Sequence, residues 1–190
     1  MSLFPDASSL PNGFVYQPGF IDEKEEARLL AGIRALDLRQ AKYKEYTAKR
    51  RVASFGAGDD FDANELTPAP EMALFHHPLR EKVSALTGIA AEEFGYALVA
   101  EYRPGTQLGW HRDVPQFEVV AGISLASACR MRFRSFPPRK NARILSLDLE
   151  PRSAYVLKDD VRWKWQHSIA PTNALRYSIT FRTRAEEAKR

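Results

Sequence analysis

The sequence predicts a mainly β protein with a helical N-terminal part, built on a double-stranded β-helix (jelly-roll) core. Three observations carry this expectation. Seven short strand-forming segments crowd the C-terminal half between turn signals, both clear amphipathic helices precede them, and no internal repeat or low-complexity tract appears.

The first helix is read in "IDEKEEARLLAGIRAL". Asp22 caps it, Glu25 closes a capping box, and Ala27, Leu30 and Ile33, joined by Leu29, form one apolar face. A second helix is read in "PLREKVSALTG", with Pro78 in its first turn and Gly88 ending it. Between them "FGAGDDFDANELTPAP" is rich in Gly, Asp and Pro and reads as loop. After Phe94 the texture changes: "YALVAEYRPG", "FEVVAGISLAS", "CRMRFRSF", "ARILSLDLE", "SAYVLKD", "KWQHSIA" and "LRYSITFRT" all read as strands. One compact domain is expected. Residues 1–93 form a helical and loop extension with room for substrate-recognition elements, packed on a core at 94–184.

A hydrophobic content of 44% and a charged content of 27% describe an ordinary soluble globular chain. No apolar stretch approaches the roughly 20 residues that span a bilayer. The start, "MSLFPDASSL", has neither the basic region nor the apolar run of a secretory signal. Cys129 is the single cysteine, so no internal disulfide framework exists; a reducing, cytoplasmic setting is expected. Its neighbours suggest a strand interior, which argues against a catalytic thiol. The net charge of +4 favours an anionic partner. In "CRMRFR", strand alternation puts Arg130, Arg132 and Arg134 on one face and Cys129, Met131 and Phe133 on the other. That face is either a solvated exterior or a phosphate-contacting ridge, and the cluster "KYKEYTAKRRV" poses the same choice.

"LGWHRDVPQ" places His111 and Asp113 two apart, so on a strand they point the same way, roughly 7 Å apart. Such a pair could hold a metal, act as an acid/base couple, or make a simple hydrogen bond. The last strand, "RYSITFR", alternates Arg176, Ser178, Thr180 and Arg182 with Tyr177, Ile179 and Phe181. If the apolar face packs on the core, the polar face looks at solvent or into a polar cavity. Arginine suits a carboxylate guest there, because its planar fork matches one. His167, in "WKWQHSIAP", completes an order of His-x-Asp, a long gap, His, then an arginine strand. Two imidazoles and a carboxylate are the ligand set of the facial triad of non-haem Fe(II) oxygenases.

Residues from about Tyr96 to Arg184 resemble the AlkB-like branch of the Fe(II)- and 2-oxoglutarate-dependent dioxygenases. The resemblance lies in "EYRPGTQLGWHRD", "ISLAS", "PRSAYVL", "WQHSIAP" and "RYSITFR", and in the Arg-x5-Arg pattern with its internal serine. The N-terminal "RRVASFG" is similar to the segment before the catalytic core in relatives acting on tRNA. By this resemblance His111, Asp113 and His167 bind iron, and Arg176, helped by Tyr102, holds the distal carboxylate of 2-oxoglutarate. Arg182 then lies by the other end of the cosubstrate and Asp113, and Ser178 supports the pocket. His76 and His77, in "LFHHPLR", fall outside every matching motif. The chain departs from the pattern at Ala100, where many relatives have asparagine, and at Pro115, where the founding repair enzymes have an acidic residue.

The resemblance implies Fe(II), 2-oxoglutarate and O2 as cofactor and cosubstrates, with succinate and CO2 formed as a substrate C–H bond is hydroxylated. On an N-methyl group the product releases formaldehyde; on a carbon side chain the hydroxyl stays. The expected partner is nucleic acid, DNA or RNA, with a modified base as target. A protein or small-molecule hydroxylase with the same chemistry is the alternative, and a non-catalytic nucleic-acid binding module is the rival from another class. Trp110, Trp163, Trp165 and Tyr46 are stacking candidates or core residues.

Overall fold

The computed structural model describes residues 10–43, 46–60 and 65–185. Its strands are β1 Phe14–Gln17, β2 Arg39–Tyr43, β3 Tyr46–Phe55, β4 Ala57–Asp60, β5 Glu65–Pro68, β6 Tyr96–Tyr102 and β7 Leu108–His111. Then come β8 Phe117–Leu125, β9 Cys129–Ser135, β10 Leu145–Leu149, β11 Ser153–Leu157, β12 Trp165–Ile169 and β13 Arg176–Arg184. The helices are α1 Glu23–Arg34, α2 His77–Thr87 and the short α3 Asp159–Trp163. A major sheet runs β1-β11-β8-β13-β6-β3-β2 and a minor sheet β10-β9-β12-β7. All pairings are antiparallel, as a double-stranded β-helix requires.

Local chemistry sets the helix ends. The Asp22 carboxylate accepts from the Glu25 amide at 2.8 Å while Glu25 accepts from the Asp22 amide at 3.0 Å, the reciprocal capping box. Gly88 ends α2 in the left-handed conformation, φ 73°, where a side chain would be strained. The apolar faces of both helices pack on the outside of the major sheet. Leu29, Ile33, Leu79 and Val83 meet Val99, Ala121, Ile123, Ile179 and Phe181 in one cluster. A second cluster fills the space between the sheets: Val120, Tyr155 and Leu157 face Met131, Phe133, Leu147, Leu149 and Ile169.

Three layers result: helices, major sheet, minor sheet. The period-2 alternation of β13 therefore has two buried destinations. Tyr177, Ile179 and Phe181 go to the helices, and the polar face goes between the sheets. All seven strand segments read after Phe94 form strands. The stretch read as a loop between the helices is different: it holds the end of β3 and the β4–β5 hairpin. Its Gly, Asp and Pro content conceals the pairing of Ala57 and Gly58 with Pro68 and Thr67. β2 and β3 also extend the major sheet, because β3 pairs with β6 from Arg51↔Glu101 to Phe55↔Ala97.

Candidate active site

β7 is the edge of the minor sheet, and its register with β12 sets His111 directly opposite His167. The two imidazole centroids are 4.2 Å apart. Asp113 follows His111 just past the strand end, and one ligating atom from each of the three residues lies within 4.8 Å of the others. An ion bonded to nitrogen and oxygen at about 2.1 Å keeps its ligands no more than about 4.2 Å apart, so sub-ångström adjustments suffice. Nδ1 of His111 donates to the Gly109 carbonyl at 2.9 Å. A carbonyl can only accept, so this bond fixes the proton on Nδ1 and leaves the Nε2 lone pair for a cation.

The electrostatics keep all three groups in their ligating forms. Burial pushes the Asp113 carboxyl up. The positive charge of Arg182, joined by that of Arg162 and, where they are protonated, of His167 and His111, outweighs burial and holds it below the usual carboxylate range. Arg182 Nη2 donates to Asp113 Oδ1 at 3.3 Å. Asp113 Oδ2 is buried and has no hydrogen-bond partner among the described residues; His167 Nε2 stands 3.7 Å away. Burial, and then the neighbouring His111, lowers His167 to about 3 against the pull of Asp113. Burial likewise lowers His111. Two neutral imidazoles beside an ionised carboxylate are what a divalent cation requires.

At the other end of the cavity stands Arg176, 1% exposed. Its Nε donates to Ser124 Oγ at 3.0 Å, and its guanidinium sits 4.9 Å from the Tyr102 ring centroid. Its Nη1 is buried with no partner, and no carboxylate pairs with Arg176 among the described residues. A buried cation without an anion is costly, by several kcal/mol. The residues therefore fit a divalent metal at one end and a carboxylate at the other. Ser178, Thr180 and Arg182 line the same cavity, so all seven sequence-read site residues converge there.

Four further residues line or brace the cavity. Arg162, 3% exposed, donates through Nη2 to the Val114 and Phe117 carbonyls at 2.7 Å each, pinning the loop after Asp113. Nothing in "DDVRWKW" announces that role. Ser124 lies in the motif "ISLAS" but emerges as a partner of Arg176 only through strand register. Arg50 and Tyr155 also line the cavity. Alternation puts Tyr155 with Ser153 and Leu157, but does not say which face is inward.

Other residues singled out by sequence lie elsewhere. His76 is buried among Phe55, Phe75 and Phe181 on the helix side, and His77 opens α2. Cys129 is a buried free thiol and Trp165 packs against the inter-sheet core. The Arg162 guanidinium covers the Trp163 ring at 4.4 Å. The side chain of Tyr46 lies outside the described residues.

A double-stranded β-helix that brings two imidazoles, a carboxylate and a buried arginine to one cavity suits an iron oxygenase that uses 2-oxoglutarate. The model of the 2OG-Fe(II) oxygenase superfamily matches residues 13–182, and the chain belongs to that superfamily. Membership implies Fe(II), 2-oxoglutarate and O2, so the protein is an Fe(II)- and 2-oxoglutarate-dependent dioxygenase, and among its relatives and structural neighbours are AlkB homologues. The uncharacterized protein L905 of Acanthamoeba polyphaga mimivirus is 27% identical over 190 residues, covering 93% of this chain and 87% of that protein. An Arabidopsis thaliana protein, "Alkylated DNA repair protein ALKBH8 homolog", is 26% identical over 192 residues. The match takes in 89% of this chain but 54% of the Arabidopsis protein, so the chain spans about half of that relative. The solved structure of OsALKBH1 superposes with a TM-score of 0.66 at 16% identity, over 92% of this chain and 99% of that one. A Pseudomonas putida prolyl-4-hydroxylase gives 0.64 at 15% identity, over 91% and 93%. These two show the fold.

Proposed function

We propose that this dioxygenase oxidises N-methyl or other C–H groups on nucleic acid, demethylating or hydroxylating a modified base in DNA or tRNA. His111, Asp113 and His167 hold the iron. Arg176, with Tyr102 and Ser178, grips the distal carboxylate of 2-oxoglutarate, and Arg182 steadies Asp113 and the cosubstrate's near end. One observation carries the assignment: a buried Asp113 oxygen and a buried Arg176 nitrogen, both without partners among the described residues, line one cavity. Bound Fe(II) supplies the oxidation of 2-oxoglutarate by O2 that drives hydroxylation of a C–H bond. The protein's part is to present neutral imidazoles, hold the carboxylate ionised, fix the cosubstrate's orientation and keep water out between the sheets.

The nucleic-acid half of the proposal is supported by the basic charge, by the AlkB-like motifs and by the similarity to a protein named for alkylated DNA repair. Residues 1–93 would contribute substrate-recognition elements over the core at 94–184, within one compact domain. No helix among the described residues is long and apolar enough to cross a membrane. With a free buried Cys129, a cytoplasmic setting is consistent. Incubating the iron-loaded protein with methylated oligonucleotides and nucleosides, and following their masses, tests the substrate class. Loss of a methyl group with formaldehyde release identifies demethylation; gain of one oxygen identifies hydroxylation. Succinate formation with no mass change in any nucleic acid would move the substrate to proteins or small metabolites.

A further inference from the structure

The outward side of the minor sheet is a basic surface that begins beside the iron-site residues. His111 of β7 lines the cavity, while its neighbour Trp110 stands with Arg132 and Arg134 on the other side of the sheet. The Trp110 ring is 4.6 Å from the Arg134 guanidinium and 5.2 Å from that of Arg132. These arginines bond to neutral partners, Gln166 Oε1 at 2.8 Å and Ser168 Oγ at 3.0 Å, so their charges are not cancelled. Arg112, just before Asp113, lies 3.8 Å over the ring of Phe136, which is 38% exposed. From Phe136 the β9–β10 connection carries Arg139, Lys140 and Arg143, all exposed and without a carboxylate partner among the described residues. Arg130 alone in this set has such a partner, Asp148, at 2.8 Å through two bonds.

The concentration of charge is a property of this stretch. Ser127–Leu147 holds six of the 28 Lys and Arg residues and none of the 24 Asp and Glu, so the rest of the chain is net acidic by two. Three of the six, Arg130, Arg132 and Arg134, alternate with the core residues Cys129, Met131 and Phe133 and so lie on the side of the sheet opposite the inter-sheet core.

We propose that this face is a track for single-stranded nucleic acid leading to the iron site, a proposal that rests on the nucleic-acid reading above. Arg112, Arg132, Arg134, Arg139, Lys140 and Arg143 neutralise backbone phosphates, and Trp110 and Phe136 offer stacking faces to unpaired bases. A single strand is the fitting occupant for two reasons. Stacking on side chains requires bases released from a duplex, and a cavity buried between two sheets admits a base only after it is splayed out.

The test is fluorescence anisotropy of a labelled oligothymidylate and a labelled oligouridylate with the full chain, at salt from about 50 to 200 mM. Arg139→Glu/Lys140→Glu/Arg143→Glu should weaken binding and lower the log–log salt slope by about 2, near 0.7 per lost contact. Phe136→Ala and Trp110→Ala should each weaken binding at least about fivefold with little change in slope. Thermal melts confirm that each variant folds, and the exposed Phe136 covers the case in which the Trp110 variant does not. A triple variant with wild-type affinity and slope overturns the track and leaves the nucleic-acid reading standing. Competition by polyglutamate equal to that of the oligonucleotide also overturns it, because the face would then recognise acidic chains in general. No binding of either oligonucleotide by the wild type at low salt overturns both.

Discussion

Arg176 is the most exacting residue of the cavity, because its charge is buried and its anion must come from outside the described chain. Arg176→Lys keeps the charge but loses the planar fork, so 2-oxoglutarate affinity should fall measurably. Arg176→Ala should lower it by about 30-fold or more. Unchanged affinity in calorimetric titration of both variants would assign the distal carboxylate to another residue. His76 offers a different test at this scale. It is fully buried among aromatic rings, and neither ring nitrogen finds a hydrogen bond among the described residues. Desolvation lowers it from 6.5 to about 4. Above pH 6.5 both folded and unfolded chains carry it neutral and its contribution is full. As pH falls towards 4 the unfolded chain takes up the proton and the folded one does not, so stability is lost, by about 3 kcal/mol at most. Below about pH 4 the folded state protonates too and the loss levels off. His76→Phe should flatten this part of the profile in chemical denaturation between pH 4 and 6.5; an unaltered profile would assign the acid sensitivity to other groups.

At the scale of elements, strand register does what no single segment announces. Tyr155 of β11 pairs with Gly122 of β8, and a methyl group added at Gly122 would overlap the Tyr155 ring. Gly122→Ala should therefore cost about 1–3 kcal/mol by overpacking, and Tyr155→Ala in the same chain should relieve part of it. Additive effects in urea denaturation would mean that the two do not share this space. The same dependence on register explains what could be read beforehand. The strands after Phe94 were legible because β-branched and aromatic residues alternate between clear turns. Strands β2 and β3 were not, because "RQAKY" and "YTAKRR" carry charge where a strand signal is expected. Pairing of β3 with β6, reinforced by Arg51 and Glu101 at 3.3 Å, and of β2 with β3 makes them strands. The β4–β5 hairpin is held by backbone pairing in a sequence whose composition reads as loop. His111 and His167 could be linked by motif, but their face-to-face placement comes from the β7–β12 pairing. Arg162, a contact of the loop after Asp113, becomes visible only when α3 is seen packed beside it.

For the whole molecule, the three-layer arrangement separates tasks that a smaller fold would have to share. The helices bury one face of the major sheet, and the minor sheet closes over the other, so the triad and the arginine clamp stand in a slot between the sheets, bordered by apolar residues. Because neither cluster contains His111, Asp113 or His167, these three should be replaceable without loss of the fold. Succinate release from 2-oxoglutarate, measured with Fe(II) and O2 for the wild type and for His111→Ala, Asp113→Ala and His167→Ala, tests the placement of the iron most directly. The wild type should turn over, while each variant should lose turnover and retain the wild-type far-ultraviolet circular dichroism spectrum. Wild-type succinate release by the folded His167→Ala protein would contradict the assignment of the iron to these three residues.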